Sequence, residues 1–245
     1  MRRFALPLIG PLLLAASIAP ASAVDANIRS FITKVDDFSA TAKVVQQNQR
    51  ELSKINRDVG LAYKLGNVKI SYKDPNRVRM EGSLEGSRAV YILNGTKQWV
   101  AIPKIGIKTV RNFEDSPGKR KSLMDMGLVS EFYLSYTNAK FEREGAVDGV
   151  ECAIFDMSYK DRDEDSSHHR IWIDPKTRVV RRRESYSQEG KLQAVYFFKD
   201  IKEVAEGIFL PTRIEVMNTD RQIAGVMAYT DLKVNSGLPD SLFTL

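Results

Sequence analysis

The sequence is short of everything that ordinarily staples or arms a small protein. In 245 residues there is one cysteine and there are two histidines. With Cys152 alone no intramolecular disulfide can form, so the fold must stand on its core; on an apolar strand this thiol reads as buried and inert. His168 and His169 are adjacent, and neighbours on a strand point to opposite faces, which makes them a poor chelating pair. Asp163, Glu164 and Asp165 precede them without the spacing or the fixing glycine of a calcium loop. No G-x-S-x-G, H-E-x-x-H or phosphate-loop element is present, and no nucleophile has a base beside it in sequence. The expectation is therefore a non-enzyme with no metal and no cofactor. Long hydrophobic runs, tandem repeats and low-complexity linkers are also missing, which favours one domain.

The N-terminus does carry an apolar stretch, in a form that is processed away. Met1-Arg2-Arg3 is basic, Phe4 to Ile18 is apolar but broken by Pro7, Gly10 and Pro11, and Ala21-Ser22-Ala23 supplies small residues for a signal peptidase. That is a secretory signal, too short and too interrupted for a good membrane span. Cleavage is expected after Ala23. Val24 follows where a lipoprotein signal would need cysteine, so residues 24–245 should form a soluble domain exported to a periplasm. The formal charge of +6 falls to about +4 without Arg2 and Arg3, mildly basic. Such a surface suits transient contact with an anionic membrane or protein and is far from a nucleic-acid footprint.

What remains is dominated by strands. A short helix capped by Asp25 presents Ile28, Phe31, Ile32 and Val35 on one face. Strand patterning follows over 39–45, through Leu61, Tyr63, Leu65, Val68 and Ile70, and over 77–81 after the turn at Asp74-Pro75-Asn76. Asn94-Gly95 between 89–93 and 97–102 is a hairpin signal, since both residues tolerate positive φ. Further turns at Asp148-Gly149, Asp174–Thr177 and Glu189-Gly190 divide strands at 171–173, 178–187, 192–199, 209–217 and 222–234. Residues 104–120 read as a basic loop and 161–167 as a polar hairpin loop. Over 121–136 the spacing of Leu123, Met124, Leu128, Val129 and Phe132 predicts one helix, weakened near Gly127. About ten antiparallel strands with two helices form a meander that must curl or be covered. The fold class expected is mainly β: an unclosed antiparallel half-barrel with helices over its concave apolar face.

Several segments together resemble the LolA-like periplasmic lipoprotein carriers. The match is led by Tyr91-Ile-Leu-Asn-Gly-Thr-Lys-Gln-Trp-Val-Ala-Ile-Pro103, where Gly95, Trp99 and Pro103 keep the family's spacing. Lys73 to Met80, the stretch from Ile171-Trp-Ile-Asp-Pro to Leu210-Pro211, and the ending Val234 to Thr244 extend it over most of the chain. The resemblance implies an unclosed barrel enclosing a cavity for acyl chains. It implies a monomeric shuttle that takes lipoprotein acyl chains from an inner-membrane transporter to an outer-membrane acceptor. Two positions depart from the pattern: Asp74 stands where the best-studied carriers have a lid-tying arginine before the turn proline, and the chain stops at Leu245. A sensor or regulatory module on the same scaffold, and a carrier of another amphiphile such as a glycolipid, are the alternatives.

Residues expected to line the cavity are Phe31, Val78, Met80, Trp99, Leu123, Met124, Leu128 and Phe132. Methionines suit such a site because they repack around flexible ligands. Trp99 reads equally as a cavity wall or an ordinary core residue, and the 123–132 face as a lid or plain core. The basic loop with Lys104, Lys108, Arg111, Lys119, Arg120 and Lys121 reads as solvated or as a docking surface. Arg178 and Arg181 to Arg183 read as outward strand positions.

Overall fold

The computed structural model describes residues 25–245; the secretory signal read in the sequence lies outside them. The first meander is β1 (Asp37–Gln47), β2 (Val68–Lys73), β3 (Arg77–Leu84), β4 (Ser87–Asn94), β5 (Lys97–Ile102) and β6 (Ile107–Asn112). The second is β7 (Thr137–Val147), β8 (Val150–Tyr159), β9 (His168–Ile173), β10 (Val180–Tyr186), β11 (Leu192–Ala205), β12 (Ile208–Met217) and β13 (Ile223–Val234). They form one antiparallel sheet in the order β6-β5-β4-β3-β2-β1-β13-β12-β11-β10-β9-β8-β7. The edges β6 and β7 do not pair with each other. The sheet is an unclosed half-barrel, mainly β with short helices. Register shifts in β1 and β7 mark bulges, which sharpen bending.

This order dictates the cover. β1 and β13 meet in the middle, so the chain walks outward to β6 and must restart from the opposite edge at β7. Residues 113–136 therefore cross from edge to edge. On the way lie 3₁₀ turns at Pro117–Lys119 and Leu123–Met126, and then the helix Glu131–Tyr136. Earlier, α1 (Gln49–Ile55) and α2 (Arg57–Ala62) interrupt the path from β1 to β2, so the last helix is α3.

The structure corrects the sequence reading in several places. The single helix over 121–136 is two short ones: Gly127 takes φ +76 at the end of the first, and the Ser130 hydroxyl caps the second by accepting from Tyr133 N at 3.2 Å. The first helical turn is only Ile28–Phe31, capped by Asn27 rather than Asp25. α1 and α2 were not expected; Asn48 and Asn56 cap them by accepting from Glu51 N and Val59 N. Part of the presumed loop 104–120 is strand β6, every residue of which is exposed. In the hairpin after β4, Asn94 is still strand and Gly95, at φ +62, makes the turn.

α1 and Tyr63, which ends α2, close one end of the sheet's inner face. Leu52, Ile55 and Tyr63 are buried with Ala194, Val216 and Ala224. Gly225 permits this contact: a Cβ there would stand 2.3 Å from Tyr63 Cε1. At the C-terminus, Asp37 gathers the tail by accepting from Ser236 N and Oγ, Gly237 N and Leu238 N at 2.8–3.2 Å. Asp240 then pairs with Lys73 and Arg77. Arg79 Nη1 donates to Leu242 O. The two arginines near the Asp74 turn thus hold the tail. Asp74 itself accepts from Tyr72 Oη at 3.2 Å.

Candidate functional site

Directly paired residues of antiparallel strands share a face, so register alone traces the inner surface. Tyr91 pairs with Met80, Met80 with Ile70 and Ile70 with Ala40. Beyond β1, Ala42 pairs with Tyr229. Then Met227 pairs with Ile214 and Ile214 with Phe198. Tyr196 pairs with Arg183, and Arg183 with Ile171. Stacked Phe38 and Tyr72, 5.6 Å apart, continue the surface one row over with Val78 and Leu93.

The cover lies on one half of this surface. Phe155, Met157, Ile171, Ile173, Val179 and Val180 are almost wholly buried beneath Phe31, Leu123, Leu128 and Val129. Phe31 meets Phe155 edge to face at 5.7 Å. The cover is tied down by backbone: Leu128 bridges Val179, Ile32 bridges Val129, Thr33 N donates to Val129 O and Val180 N to Gly127 O. Over the other half, Ile70, Met80, Tyr91, Tyr196 and Met227 are only partly buried. They form an apolar floor open at the edge of the cover.

A polar cluster stands where the covered and open halves meet. Asp125 Oδ1 lies 3.6 Å from Arg183 Nη1 and Oδ2 lies 3.8 Å from Lys121 Nζ. Arg183 is 12% exposed, while Asp125 and Lys121 are each 42% exposed. The Arg183 guanidinium sits 4.5 Å from the centre of the Tyr196 ring, a stacking favourable to a cation. Burial works against the charge of Asp125, but Lys121 and Arg183 hold its carboxyl below the usual range. His169 Nε2 is 3.5 Å from Tyr159 Oη; burial, then the charge of Arg183, pushes its pKa down to about 3, so the imidazole is neutral near pH 7.

Of the residues singled out in sequence, Phe31, Val78, Leu123, Met124 and Leu128 belong to the buried inner cluster, with Met80 and Phe132 packed against it. Trp99 does not join them. It pairs with Ile92, which pairs with Arg79, and these lie on the outer face. Arg183 departs the other way: expected to face outward, it faces in, while Arg182 faces out over Trp172 at 4.6 Å. Arg181 pairs with Asp174 at 2.6 Å. His168 stacks on Tyr186 at 4.5 Å, on the face opposite His169. Cys152 is buried outside the inner cluster, with Val147, Ile154 and Trp172, and burial pushes its thiol up to about 11. Lys121 belonged to the presumed basic loop and Asp125 lay unremarked between core residues. Their i, i+4 spacing was the one available signal.

Among the described residues no group of His, Cys, Asp and Glu is arranged to hold a metal ion. None of the described helices is long and apolar enough to cross a membrane.

A family model described as "uncharacterized protein" matches residues 70–245. No curated protein matches the sequence. Among solved structures, the chain is similar to an outer-membrane lipoprotein-sorting protein domain from Vibrio parahaemolyticus, at 11% identity and TM-score 0.61, covering 89% of this chain and 93% of that one. It is similar to a LolA superfamily protein from Nitrosomonas europaea, at 15% identity and TM-score 0.61, covering 88% and 93%. A DUF1329 family protein from Desulfovibrio piger aligns at 19% identity and TM-score 0.57, covering 89% and 92%. At these identities the likeness is one of fold.

Proposed function

We infer that this chain, which belongs to the family matched over residues 70–245 and has the LolA-superfamily fold, is a carrier for the acyl chain of a lipoprotein or related amphiphile. The observation that carries this reading is the half-covered inner face: an apolar floor of Ile70, Met80, Tyr91, Met227 and Tyr196, only partly buried beside the cover. The reading requires no catalysis. An acyl chain leaves a membrane when an apolar surface offers comparable burial, about 0.8 kcal/mol per CH₂. Release requires that the burial be reversible, so in this reading the cover must shift as a unit against the sheet.

Exported by its N-terminal signal, the protein would work in the periplasm, receiving cargo from an inner-membrane transporter and passing it to an outer-membrane acceptor. The purified chain, stripped of endogenous ligand, should bind the neutral probe N-phenyl-1-naphthylamine with enhanced fluorescence, and a synthetic acylated lipopeptide should displace it. Absence of both probe binding and lipopeptide binding would overturn the carrier reading.

A further inference from the structure

A surface meant only for hydrocarbon has no use for fixed charge, yet three charged side chains stand where the covered and less covered halves of this inner face meet. Arg183 projects from the inner face of β10, and Lys121 and Asp125 reach it from the cover. With His169 neutral, these groups sum to one surplus positive charge. The two ion pairs, at 3.6 and 3.8 Å, are longer than good hydrogen bonds. Arg183 Nη1 also donates to Met124 O at 3.4 Å, and Asp125 leaves the remaining donors of both cations without a short partner. Arg183 Nε has no hydrogen-bond partner among the described residues, and the same holds for His169 Nδ1 and for the hydroxyl of Tyr133, itself 3% exposed. Orphan polar groups beside an apolar floor are costly unless something completes them.

We propose that Lys121 and Arg183 form a headgroup site for an anionic amphiphile, whose chain lies along the Met80–Ile70–Met227 floor while its carboxylate or phosphate meets the two cations. Lys121, the more exposed, makes first contact. Arg183, stacked on Tyr196, is held in place to complete the pair. Asp125 keeps the two cations together in the empty protein and competes with the incoming anion. The proposal rests on the carrier reading and narrows its cargo to amphiphiles bearing negative charge.

The test is displacement of bound N-phenyl-1-naphthylamine from the full chain by laurate, dodecanol and dodecyltrimethylammonium, which share a chain and differ in headgroup. Laurate should compete about tenfold better than dodecanol, an effect expected of a charge-assisted contact, and dodecyltrimethylammonium worse. Lys121→Gln should erase the preference for laurate and leave dodecanol unchanged. Asp125→Asn should strengthen laurate alone. Arg183 is largely buried, so Arg183→Lys serves as its milder variant and should reduce the preference without loss of the folded circular-dichroism signal.

Equal competition by laurate and dodecanol, or a Lys121→Gln effect equal on both, would overturn the headgroup site while leaving the carrier reading intact. If neither competes and no probe binds, both fall. Inorganic phosphate tested alone should neither displace the probe nor protect the protein thermally. Lys121-dependent protection by free phosphate equal to that by dodecyl phosphate would show a plain anion site instead.

Discussion

Leu128 of the cover pairs with Val179 through a single antiparallel bridge, and both side chains are wholly buried. This is the clasp between the segment that crosses the half-barrel and the turn joining β9 to β10. Cutting Leu128 back to Ala should cost about 3 kcal/mol, the usual range for a large-to-small change in a packed core. Urea denaturation followed by circular dichroism measures this. A loss below about 1 kcal/mol would mean that the cover does not press on the sheet there.

The turn before that clasp depends on glycine. Gly127 has φ +76, and a Cβ there would stand 3.0 Å from Phe198 Cδ1 and 3.3 Å from Val180 O. Gly127→Ala should therefore destabilise the protein by about 1–3 kcal/mol, combining left-handed strain with a contact against backbone that cannot yield. A thermal melt of the variant unchanged from the parent would contradict this account of the break between the two cover helices.

Face assignment gives a paired prediction. Met80 is on the open inner floor and Trp99 on the outer face. Met80→Arg should reduce binding of the neutral naphthylamine probe at least tenfold, since a guanidinium resists burial against hydrocarbon. Trp99→Ala should leave the dissociation constant within about twofold, whatever it does to stability. Fluorescence titration of both variants decides, and the reverse pattern would place the site on the outer face.

Stability should fall as the solution is acidified below neutrality. His169 has a native pKa of about 3 against an unperturbed 6.5, so between these values the unfolded chain binds a proton that the native one refuses. Its contribution is complete above pH 6.5 and is lost by about 1.4 kcal/mol per pH unit while only the unfolded state is protonated. The groups acting on it are Arg183 and His168, which oppose its protonation, and Asp125 and Asp165, which favour it; Tyr159 is its neighbour at 3.5 Å. Replacing His169 by Gln should flatten the profile between pH 6.5 and 5, measured by chemical denaturation at each pH. An unaltered slope would assign the acid sensitivity to other groups.

Strand patterning and turn residues made the half-barrel legible because each strand buries one face and each hairpin needs its glycine or aspartate. β6 was not legible: both its faces are exposed, so no alternation marks it, and only pairing with β5 makes it a strand. α2 was hidden because Leu61 and the following Tyr63 merge with β2 into one loosely alternating run, and α1 because Leu52 and Ile55 are too few to mark an apolar face. For the inner face, apolar character picked out Met80 and the Leu123–Leu128 group, which pack on or against the inner cluster because they are apolar. Trp99 shows where that logic ends, since a one-residue difference in parity decides the face and only register fixes it. Arg183 was misplaced for the same reason. A run of three arginines on a strand must send one inward or two.

The decisive measurement is probe binding with the cover locked. In a Cys152→Ala background, Leu128→Cys and Val179→Cys would place two thiols at directly bridged positions, within the usual reach of a disulfide. Titration with N-phenyl-1-naphthylamine in the oxidised and reduced states then isolates movement of the cover. A chain on the partly exposed floor keeps one side in water, so full burial needs the cover to shift, and the oxidised protein should bind at least tenfold more weakly, with reduction restoring the parent affinity. Equal affinity in both states would contradict a cover that must move for an acyl chain to enter.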